Sequence, residues 1–219
     1  MSKDFKQSFY NPVCLCCGSF FSKEHLFCID CYQGKIISRL EMKVQTLSLG
    51  LQAHYLIEWV PFESDLISEM VYRFKSDKCI KAWRHYAELI TEELERIMDT
   101  RDIKYIIPVP GSKKNSIHAN VFSQFLSQFL RKPVVDILEK KKQTVDIVIE
   151  QKKKSKLERL KTTIQLREQF TSEIERLGLN KSHVLIVDDI VTTGSSFKQS
   201  TEALGPIQKA TYLAMFYRT

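Results

Sequence analysis

The apolar residues between positions 47 and 99 repeat first with the period of a β-strand and then with the period of a helix. Every second residue is apolar at Leu47, Leu49 and Leu51, and again at Tyr55, Ile57 and Trp59. This period of two predicts two strands, joined by a hairpin turn near Gln52-Ala53. Helical spacing then predicts one helix around residues 66–74 and a longer helix from about residue 79 to residue 99.

The second half of the chain alternates short apolar runs with amphipathic stretches. The run at 184–187 is compact and β-branched, which suits a strand that is buried on both faces. Gly205-Pro206 ends the helix that follows, because glycine accepts a left-handed cap and proline cannot continue a helix. Strand, helix and strand in this order predict an α/β fold with a parallel sheet flanked by helices. The predicted elements are a strand at 105–110, a helix at 117–130, a strand at 184–187, a helix at 196–204 and a strand at 210–217.

The composition is that of a globular protein with an excess of positive charge. The 219 residues suffice for one ordinary domain and a small module, and 43% of them are apolar, so a core can form. No apolar stretch reaches the length of a membrane-spanning helix, and no apolar signal-peptide region follows the first residues, so we expect a cytoplasmic protein. The net charge of +7 favours polyanionic partners, although a generic lysine-rich surface would give the same value.

Five of the six cysteines lie within the first 31 residues. In a reducing compartment such a cluster indicates a metal site rather than disulfides. Cys14-x-x-Cys17 and Cys28-x-x-Cys31 have the spacing with which two hairpins enclose a structural Zn²⁺ between four thiolates. A four-thiolate site has no open coordination position, so we assign it no catalytic role.

Two further side chains are weaker candidates for this metal site. Cys16 is spare in the preferred set but could replace Cys14 or Cys17, and His25 offers an imidazole nitrogen. We expect residues 1–34 to form a zinc-knuckle module that stabilises itself or presents a surface to a partner. Residues 35–219 then form the α/β domain.

A ribose clamp and a phosphate cradle can be built from the thirteen residues 184–196. The strand delivers Asp188 and Asp189 to its carboxyl end, where open α/β sheets bind ligands and where carboxylates can accept hydrogen bonds from vicinal hydroxyls. The next turn supplies hydroxyl groups and the unpaired N–H groups of a helix N-terminus, which bind phosphate. Its glycine lets the backbone approach the ligand closely. The turn consists of Thr192, Thr193, Gly194, Ser195 and Ser196.

Other motifs for phosphorylated ligands fit this sequence less well. The chain contains neither Gly-x-x-x-x-Gly-Lys-Ser/Thr nor Gly-x-Gly-x-x-Gly, which argues against a nucleoside triphosphatase and against a dinucleotide fold. Receiver domains also carry an acidic pair after a strand, but they lack the adjoining Thr-Thr-Gly-Ser turn. The remaining alternative is an ordinary helix N-cap after a strand that ends in Asp-Asp.

The run Val-Leu-Ile-Val-Asp-Asp-Ile-Val-Thr-Thr-Gly-Ser-Ser at 184–196 resembles the signature of type I phosphoribosyltransferases. The resemblance implies that the ligand is phosphoribosyl pyrophosphate, with Mg²⁺ bound mostly by the ligand's own oxygens and by water. It also implies that Asp188 and Asp189 bind the ribose 2- and 3-hydroxyls and that residues 192–196 bind the 5-phosphate.

Type I phosphoribosyltransferases also need a second loop, for pyrophosphate, after an earlier strand. The candidate lies at the end of the strand at 105–110, where a small residue lets the backbone approach the anion and a lysine can neutralise it. The alternative is a Pro-Gly turn with solvated lysines. The loop consists of Val109, Pro110, Gly111, Ser112, Lys113 and Lys114.

A lysine-rich segment at 140–161 lies between the two proposed ligand loops. We expect it to be an exposed, mobile loop or a hairpin that leads into a helix. Its lysines suit a lid over the ligand, contacts with a nucleic-acid backbone, or simply a solvated face. Trp83 and Tyr86 could stack on bases, but their helical spacing favours packing. The lysines are Lys140, Lys141, Lys142, Lys152, Lys153, Lys154 and Lys156.

A four-cysteine knuckle ahead of a phosphoribosyltransferase domain resembles the ComF (ComFC) family of bacterial competence proteins. Tyr72-Arg73-Phe74-Lys75 before a helix, the Pro-Val-Pro loop and the carboxyl-terminal signature occur in the family's order. The resemblance implies a role in natural transformation, in which the protein handles single-stranded DNA during uptake, at or after its passage across the inner membrane. It further implies a helicase-like partner or the DNA-uptake machinery.

Two segments depart from the pattern of that family. The stretch Ser116-Ile117-His118-Ala119-Asn120 stands where members carry an Arg-Gly-Phe-Asn-Gln-like run, and it lacks the arginine. Further along, the family's Gln, Leu, Arg and Asn pattern survives only as Gln151, Leu157 and Arg159. Both segments surround the acceptor side of the pocket, so we assign no catalytic residue.

Two functions from different classes follow. An enzyme would transfer phosphoribosyl to an unidentified nitrogen acceptor, with Mg²⁺ and the basic loop stabilising the charge on departing pyrophosphate. A binding module would use the ribose-phosphate site as a sensor or on a DNA end, while lysines contact the DNA backbone. We favour binding of phosphoribosyl pyrophosphate and single-stranded DNA during DNA uptake.

Overall fold

The computed structural model describes residues 13–20, 23, 25–61, 66–75, 79–111, 118–142, 162–170 and 173–219. Its strands are β1 (Lys43–Thr46), β2 (Gln52–Trp59), β3 (Ile103–Pro108), β4 (Leu138–Lys142), β5 (Thr162–Leu166), β6 (His183–Val191) and β7 (Lys209–Arg218). Five of them form one sheet in the order β1-β2-β7-β6-β3. Strands β2, β7, β6 and β3 are parallel, whereas β1 pairs with β2 antiparallel. Strands β4 and β5 form a separate antiparallel hairpin.

The longer described helices agree with the helical periods of the sequence. They are α1 (Ile29–Cys31), α2 (Leu66–Phe74), α3 (Ile80–Ile97), α4 (His118–Leu130), α5 (Glu173–Arg176) and α6 (Ser195–Leu204). A π-helical turn (Tyr32–Ile36) and a 3-10 turn (Ile37–Arg39) continue α1, and two further 3-10 turns lie at Glu168–Phe170 and Leu179–Lys181. Within the described ranges, no helix has both the length and the apolar character that crossing a membrane requires.

The side chains of strand β6 are buried on both faces of the central sheet. Leu185 and Val187 belong to a buried cluster with the apolar faces of α2, α3 and α4. Val184 and Ile186, which alternate with them, belong to a second cluster with α6 and the β4–β5 hairpin. A parallel strand that is buried on both faces accounts for the uninterrupted apolar run in the sequence. The α/β class, with a mostly parallel sheet flanked by helices, is confirmed.

The cysteine-bearing amino-terminal module shares the first of these clusters. Phe27 and Ile36 have no exposed surface and pack into it. The hydroxyl of Tyr86 in α3 donates a hydrogen bond to the carbonyl of His25 at 3.1 Å. The module and the α/β domain are therefore joined through one continuous apolar core.

The hairpin turn between β1 and β2 lies earlier than the alternating leucines predict. It spans residues 47–51, where the N–H of Leu47 bonds to the carbonyl of Leu51 and the N–H of Gly50 bonds to the carbonyl of Leu47. Gly50 has a φ of 75°, a left-handed conformation that glycine adopts without strain. The prediction of a turn at Gln52-Ala53 was wrong because Leu47 is buried against the second cluster rather than paired in a strand.

The ends of the lysine-rich segment differ from the predicted loop. Lys140, Lys141 and Lys142 belong to β4. The next described element along the chain is β5, which is a strand and not the expected helix. The base of the expected hairpin is therefore present, whereas the prediction of a helix directly after the segment was wrong. Residues 143–161, including the lysines at 152–154 and 156, lie outside the described residues.

Candidate functional site

The acidic pair lies inside β6, near its carboxyl end. Asp188 is registered with Ala214 of β7, and pairing continues to Val191, so the strand extends four residues beyond its predicted end. Both residues are half-buried as a whole, and the carboxyl group of Asp188 is buried. The N–H of Asp189 donates a hydrogen bond to Oδ1 of Asp188 at 2.9 Å. The pair is thus held by the sheet at the edge where open α/β proteins bind ligands.

The electrostatics of this pair favour a ligand that brings hydrogen-bond donors or positive charge. Burial and the neighbouring charge of Asp189 raise the pKa of Asp188 well above its usual range, and Lys140 opposes them. Two like charges at close range on partly desolvated groups are costly to ionise together. Hydroxyl donors from a sugar, or a cation carried by the ligand, would relieve this cost.

We expect Asp188→Asn to raise the Tm of the unliganded protein by about 2–4 °C at pH 7, the shift that about 1 kcal/mol gives in a chain of this size. Because folding raises the pKa of Asp188, its ionisation costs folding free energy. That cost is absent below the pKa of an unfolded aspartate, about 3.9, and grows as the pH rises towards the folded value. Thermal unfolding of the wild type and of Asp188→Asn at pH 4 and pH 7 measures this cost. The gain in Tm from the substitution should nearly vanish at pH 4.

Asp99→Asn is the matched control for this stability measurement. Hydrogen bonds from Arg101 hold the pKa of Asp99 down to about 2, so the shift has the opposite sign. Neutralising Asp99 should give no gain in Tm at either pH. A lower Tm for Asp188→Asn than for the wild type at pH 7 would contradict the account of a repulsive acidic pair.

The turn after β6 forms a small cleft at the start of α6. Gly194, at the N-cap of α6, has a φ of 82°, and the N–H of Ser195 points to Oγ1 of Thr193 at 3.4 Å. The hydroxyl side chains of Thr192, Thr193 and Ser195 are exposed. The cleft has a volume of about 60 Å³ and is lined by Asp188, Ile190, Val191, Thr192, Thr193, Gly194, Ser195, Ser196 and Phe197. Its hydroxyl groups and the first N–H groups of the helix can converge on one small anion.

The backbone of this turn is confined by a residue that sequence reasoning did not select. A Cβ placed on Gly194 would lie 2.6 Å from Cδ1 of Leu47. Leu47 belongs to the β1–β2 turn and is buried. The turn at residues 192–196 therefore packs closely against Leu47, and a side chain at position 194 would require one of the two to shift.

The second predicted loop begins beside the first. Strand β3 ends at Pro108, which is registered with Val187, and the N–H of Val109 donates to the carbonyl of Val187 at 2.8 Å. Val109 is buried, and Pro110 and Gly111 continue outward from it. Ser112, Lys113 and Lys114 lie outside the described residues. The described part of the loop thus starts next to the acidic pair.

The β4–β5 hairpin brings a lysine towards the acidic pair. Ile164 of β5 shares a buried cluster with Phe197 of α6, and Lys140 is registered opposite Ile164. The charge of Lys140 is close enough to lower the pKa of Asp188. A cation at this position complements both the carboxylates and an anionic ligand.

Four sulfur atoms come together in the amino-terminal module, as the cysteine spacing predicted. The Sγ atoms of Cys14, Cys17, Cys28 and Cys31 all lie within 4.8 Å of one another, and those of Cys17 and Cys28 are 3.7 Å apart. Tetrahedral Zn²⁺ with Zn–S bonds of about 2.3 Å would place its sulfurs about 3.8 Å apart. Gly18, with a φ of 74°, makes the tight turn after the first pair. These residues fit a structural zinc ion.

The two weaker metal candidates lie outside this group of four. Cys16 lines a neighbouring cleft of about 370 Å³, together with Gly34, Lys35, Ser38, Arg39 and Leu66. The ring of His25 is buried and stacks on Tyr32 at 3.9 Å, and its Nδ1 accepts a hydrogen bond from the N–H of Phe27 at 3.3 Å. Burial lowers the pKa of His25 to about 4, so the ring is neutral and serves packing.

A polar network links the start of α4 to the β4–β5 hairpin, and sequence reasoning missed its arginine. Nη2 of Arg167 donates to Oδ1 of Asp136 at 2.8 Å, and Nε donates to the carbonyl of Leu138 at 3.2 Å. Asn120 donates to the other carboxylate oxygen of Asp136 at 3.0 Å. Of the segments that depart from the ComF pattern, Ser116, Ile117, Gln151, Leu157 and Arg159 lie outside the described residues.

The aromatic residues considered for base stacking serve the core instead. Trp83 is 3% exposed and Tyr86 is fully buried. Trp83 packs edge-to-face on Phe74, with ring centroids 4.6 Å apart. Neither ring is accessible to a nucleic-acid base.

Comparisons with known proteins give distant structural similarity. No protein-family model matches the sequence, and no curated protein matches it. A hypothetical protein from Neisseria gonorrhoeae with bound ppGpp is similar at 12% identity and a TM-score of 0.39, over 62% of this chain and 65% of its own, just under two thirds. Adenine phosphoribosyltransferase from Saccharomyces cerevisiae, complexed with an imino-altritol bisphosphate and adenine, is similar at 16% identity and a TM-score of 0.41, over 86% of this chain and 90% of its own. A further adenine phosphoribosyltransferase gives 16% identity and a TM-score of 0.37, over 83% and 86% of the two chains.

Proposed function

We propose that this protein binds phosphoribosyl pyrophosphate at the carboxyl ends of β3 and β6. One observation carries the proposal: the acidic pair, the phosphate turn and the second loop leave two adjacent parallel strands at the same edge of the sheet. A ligand with vicinal hydroxyls, a terminal phosphate and a second anionic group matches these three parts in kind.

Each part of the site has a distinct role in this proposal. Asp188 and Asp189 accept hydrogen bonds from the ribose hydroxyls, and residues 192–196 donate to the 5-phosphate. The loop that begins at Val109 supplies backbone N–H groups and lysines to the pyrophosphate. Mg²⁺, carried mostly by the ligand's own oxygens and by water, neutralises the pyrophosphate charge and would lie towards the acidic pair.

The wider role that we propose is in natural transformation, as a ComF-type protein that also binds single-stranded DNA, at the cytoplasmic side of the inner membrane. The net charge of +7, the lysine-rich hairpin beside the ribose-phosphate site and the order of motifs along the chain support this proposal. Partners would be a helicase or other parts of the DNA-uptake machinery.

The second candidate function is an active phosphoribosyltransferase, in which a nitrogen nucleophile attacks the anomeric carbon and pyrophosphate leaves. Lys140 favours this candidate, because the hairpin places it beside the acidic pair, where a lid would close.

In the binding role, Mg²⁺ and phosphoribosyl pyrophosphate raise the Tm while no pyrophosphate is released with any nucleobase. Release of stoichiometric pyrophosphate with one base would establish the enzyme instead.

We expect single-stranded DNA to bind this protein with a steep dependence on salt. Each phosphate contact should contribute roughly −0.7 to the slope of log K against log salt concentration, because binding releases condensed counterions. Fluorescence anisotropy with a labelled oligonucleotide between 50 and 200 mM salt, about the range over which this loss is large, measures the slope. Absence of binding even at the lowest salt would remove the nucleic-acid part of the proposal and leave the ribose-phosphate part standing.

A further inference from the structure

Gln199 joins the phosphate turn to the β4–β5 hairpin. It lies one helical turn after Ser195 in α6 and is half-buried. Its Oε1 accepts a hydrogen bond from the backbone N–H of Ile164 at 3.1 Å. Its Nε2 donates to Oγ of Ser195 at 3.2 Å. One side chain therefore contacts both a residue of the turn and the backbone of β5.

The chemistry of these two contacts fixes the direction of each hydrogen bond. The N–H of Ile164 can only donate, so it must face the amide oxygen of Gln199. The amide nitrogen is then turned towards Ser195, and the serine oxygen must act as acceptor. The hydroxyl proton of Ser195 remains for another acceptor, and Ser195 lines the cleft at the phosphate turn. Gln199 thereby sets Ser195 as a proton donor towards that cleft.

The same side chain also fixes where the hairpin stands. Ile164, which Gln199 holds through its backbone, is registered opposite Lys140 in the hairpin. The side chain of Ile164 is buried with Phe197, so the strand lies directly on α6. A shift of β5 along α6 would move Lys140 relative to the acidic pair.

We propose that Gln199 is a positioning residue of the anion site: it orients the hydroxyl of Ser195 towards the ligand phosphate and holds the β4–β5 hairpin in register with the phosphate turn. The inference rests on the proposed function, because it concerns the affinity of the same site for a phosphorylated ribose. Gln199 itself touches no ligand in this inference, and it acts on binding through Ser195 and Lys140.

A double-mutant cycle on the full chain tests this inference, with ribose 5-phosphate as the probe in titration calorimetry. Gln199→Met keeps the length of the side chain and removes both hydrogen bonds. We expect it to weaken binding about tenfold, since the hydroxyl of Ser195 is no longer oriented for its hydrogen bond to the charged phosphate. In a Ser195→Ala background the same change should weaken binding by less than about threefold, because the route through Ser195 is already gone.

Gln165→Met is the matched control, and amide hydrogen exchange is the second readout. Gln165 lies on the same strand and donates to Glu139 across the hairpin at 2.8 Å, without touching the phosphate turn. It should leave ribose 5-phosphate affinity unchanged, and only Gln199→Met should speed exchange of the Ile164 amide. The inference would be overturned if Gln199→Met weakened ribose 5-phosphate binding equally in the wild-type and Ser195→Ala backgrounds. It would also be overturned if Gln199→Met bound ribose 5-phosphate as tightly as the wild type does. Failure of the wild-type protein itself to bind ribose 5-phosphate would overturn the proposed function and this inference with it.

Discussion

Removal of the zinc ion that we propose for the four cysteines is expected to lower the Tm of the whole protein by about 10 °C or more, because metal binding to such sites contributes on the order of 10 kcal/mol to folding. The module is not an independent appendage, since Phe27 and Ile36 are fully buried in the core that α2, α3 and α4 also share. Without the metal, the four thiolates no longer hold the turns that present these side chains. Cys28→Ser should give the same loss, measured by thermal unfolding together with the zinc content per chain.

Cys16→Ser is the matched control for the zinc prediction. Cys16 lies between Cys14 and Cys17 but outside the group of four sulfurs, so this variant should retain one zinc per chain and nearly the wild-type Tm. If Cys28→Ser and Cys16→Ser behave alike, or if complete chelation leaves the Tm unchanged, the structural role of the metal is wrong.

Gly194→Ala is expected to weaken ribose 5-phosphate binding about 100-fold, the loss that a misplacement of about 1 Å can cause at a preorganised site. The new Cβ would lie 2.6 Å from Cδ1 of buried Leu47, and alanine is disfavoured at a φ of 82°. Either the buried Leu47 side chain or the turn itself must shift, and a shift of the turn displaces the N–H groups that we propose to converge on the phosphate. Titration calorimetry measures the loss, and Leu47→Ala in the same chain should recover part of it.

The control for this prediction separates backbone strain from displacement. Gly178 also has a left-handed backbone, with a φ of 62°, but a Cβ there meets nothing within 4 Å. Gly178→Ala should therefore lower stability slightly and leave phosphate affinity intact. Equal affinities of Gly194→Ala and Gly178→Ala for ribose 5-phosphate would show that the close approach to Leu47 has no bearing on binding.

Local patterns in the sequence were enough to predict the parts of the fold that depend on local spacing. The apolar run that contains Leu185 and Val187 predicted a strand buried on both faces, and the structure places these side chains in the core. The Cys-x-x-Cys pairs predicted a group of four thiolates, because this spacing brings the two sulfurs of each pair together, in a turn for Cys14 and Cys17 and at the start of α1 for Cys28 and Cys31. Helical periods located α2, α3, α4 and α6 to within a few residues.

Contacts between distant segments could not be predicted in this way. The approach of Leu47 to Gly194 joins residues far apart in the chain, and the alternating leucines instead favoured a strand at Leu47. The contact between Ser195 and Gln199 follows from their spacing of four in a helix, but the bond from the N–H of Ile164 to Gln199 depends on how the hairpin packs. The position of Lys140 depends on the same packing.

The central claim is that the acidic pair of β6 binds the ribose of a 5-phosphorylated ligand. The most direct test titrates phosphoribosyl pyrophosphate with Mg²⁺, and then ribose 5-phosphate and 2-deoxyribose 5-phosphate, into the wild type and into Asp188→Asn/Asp189→Asn. We predict that the double variant stays folded, loses affinity at least about 100-fold through two hydrogen bonds to charged groups, and no longer distinguishes the two sugars. Equal affinity of the wild type and the double variant for phosphoribosyl pyrophosphate would contradict the assignment of the site.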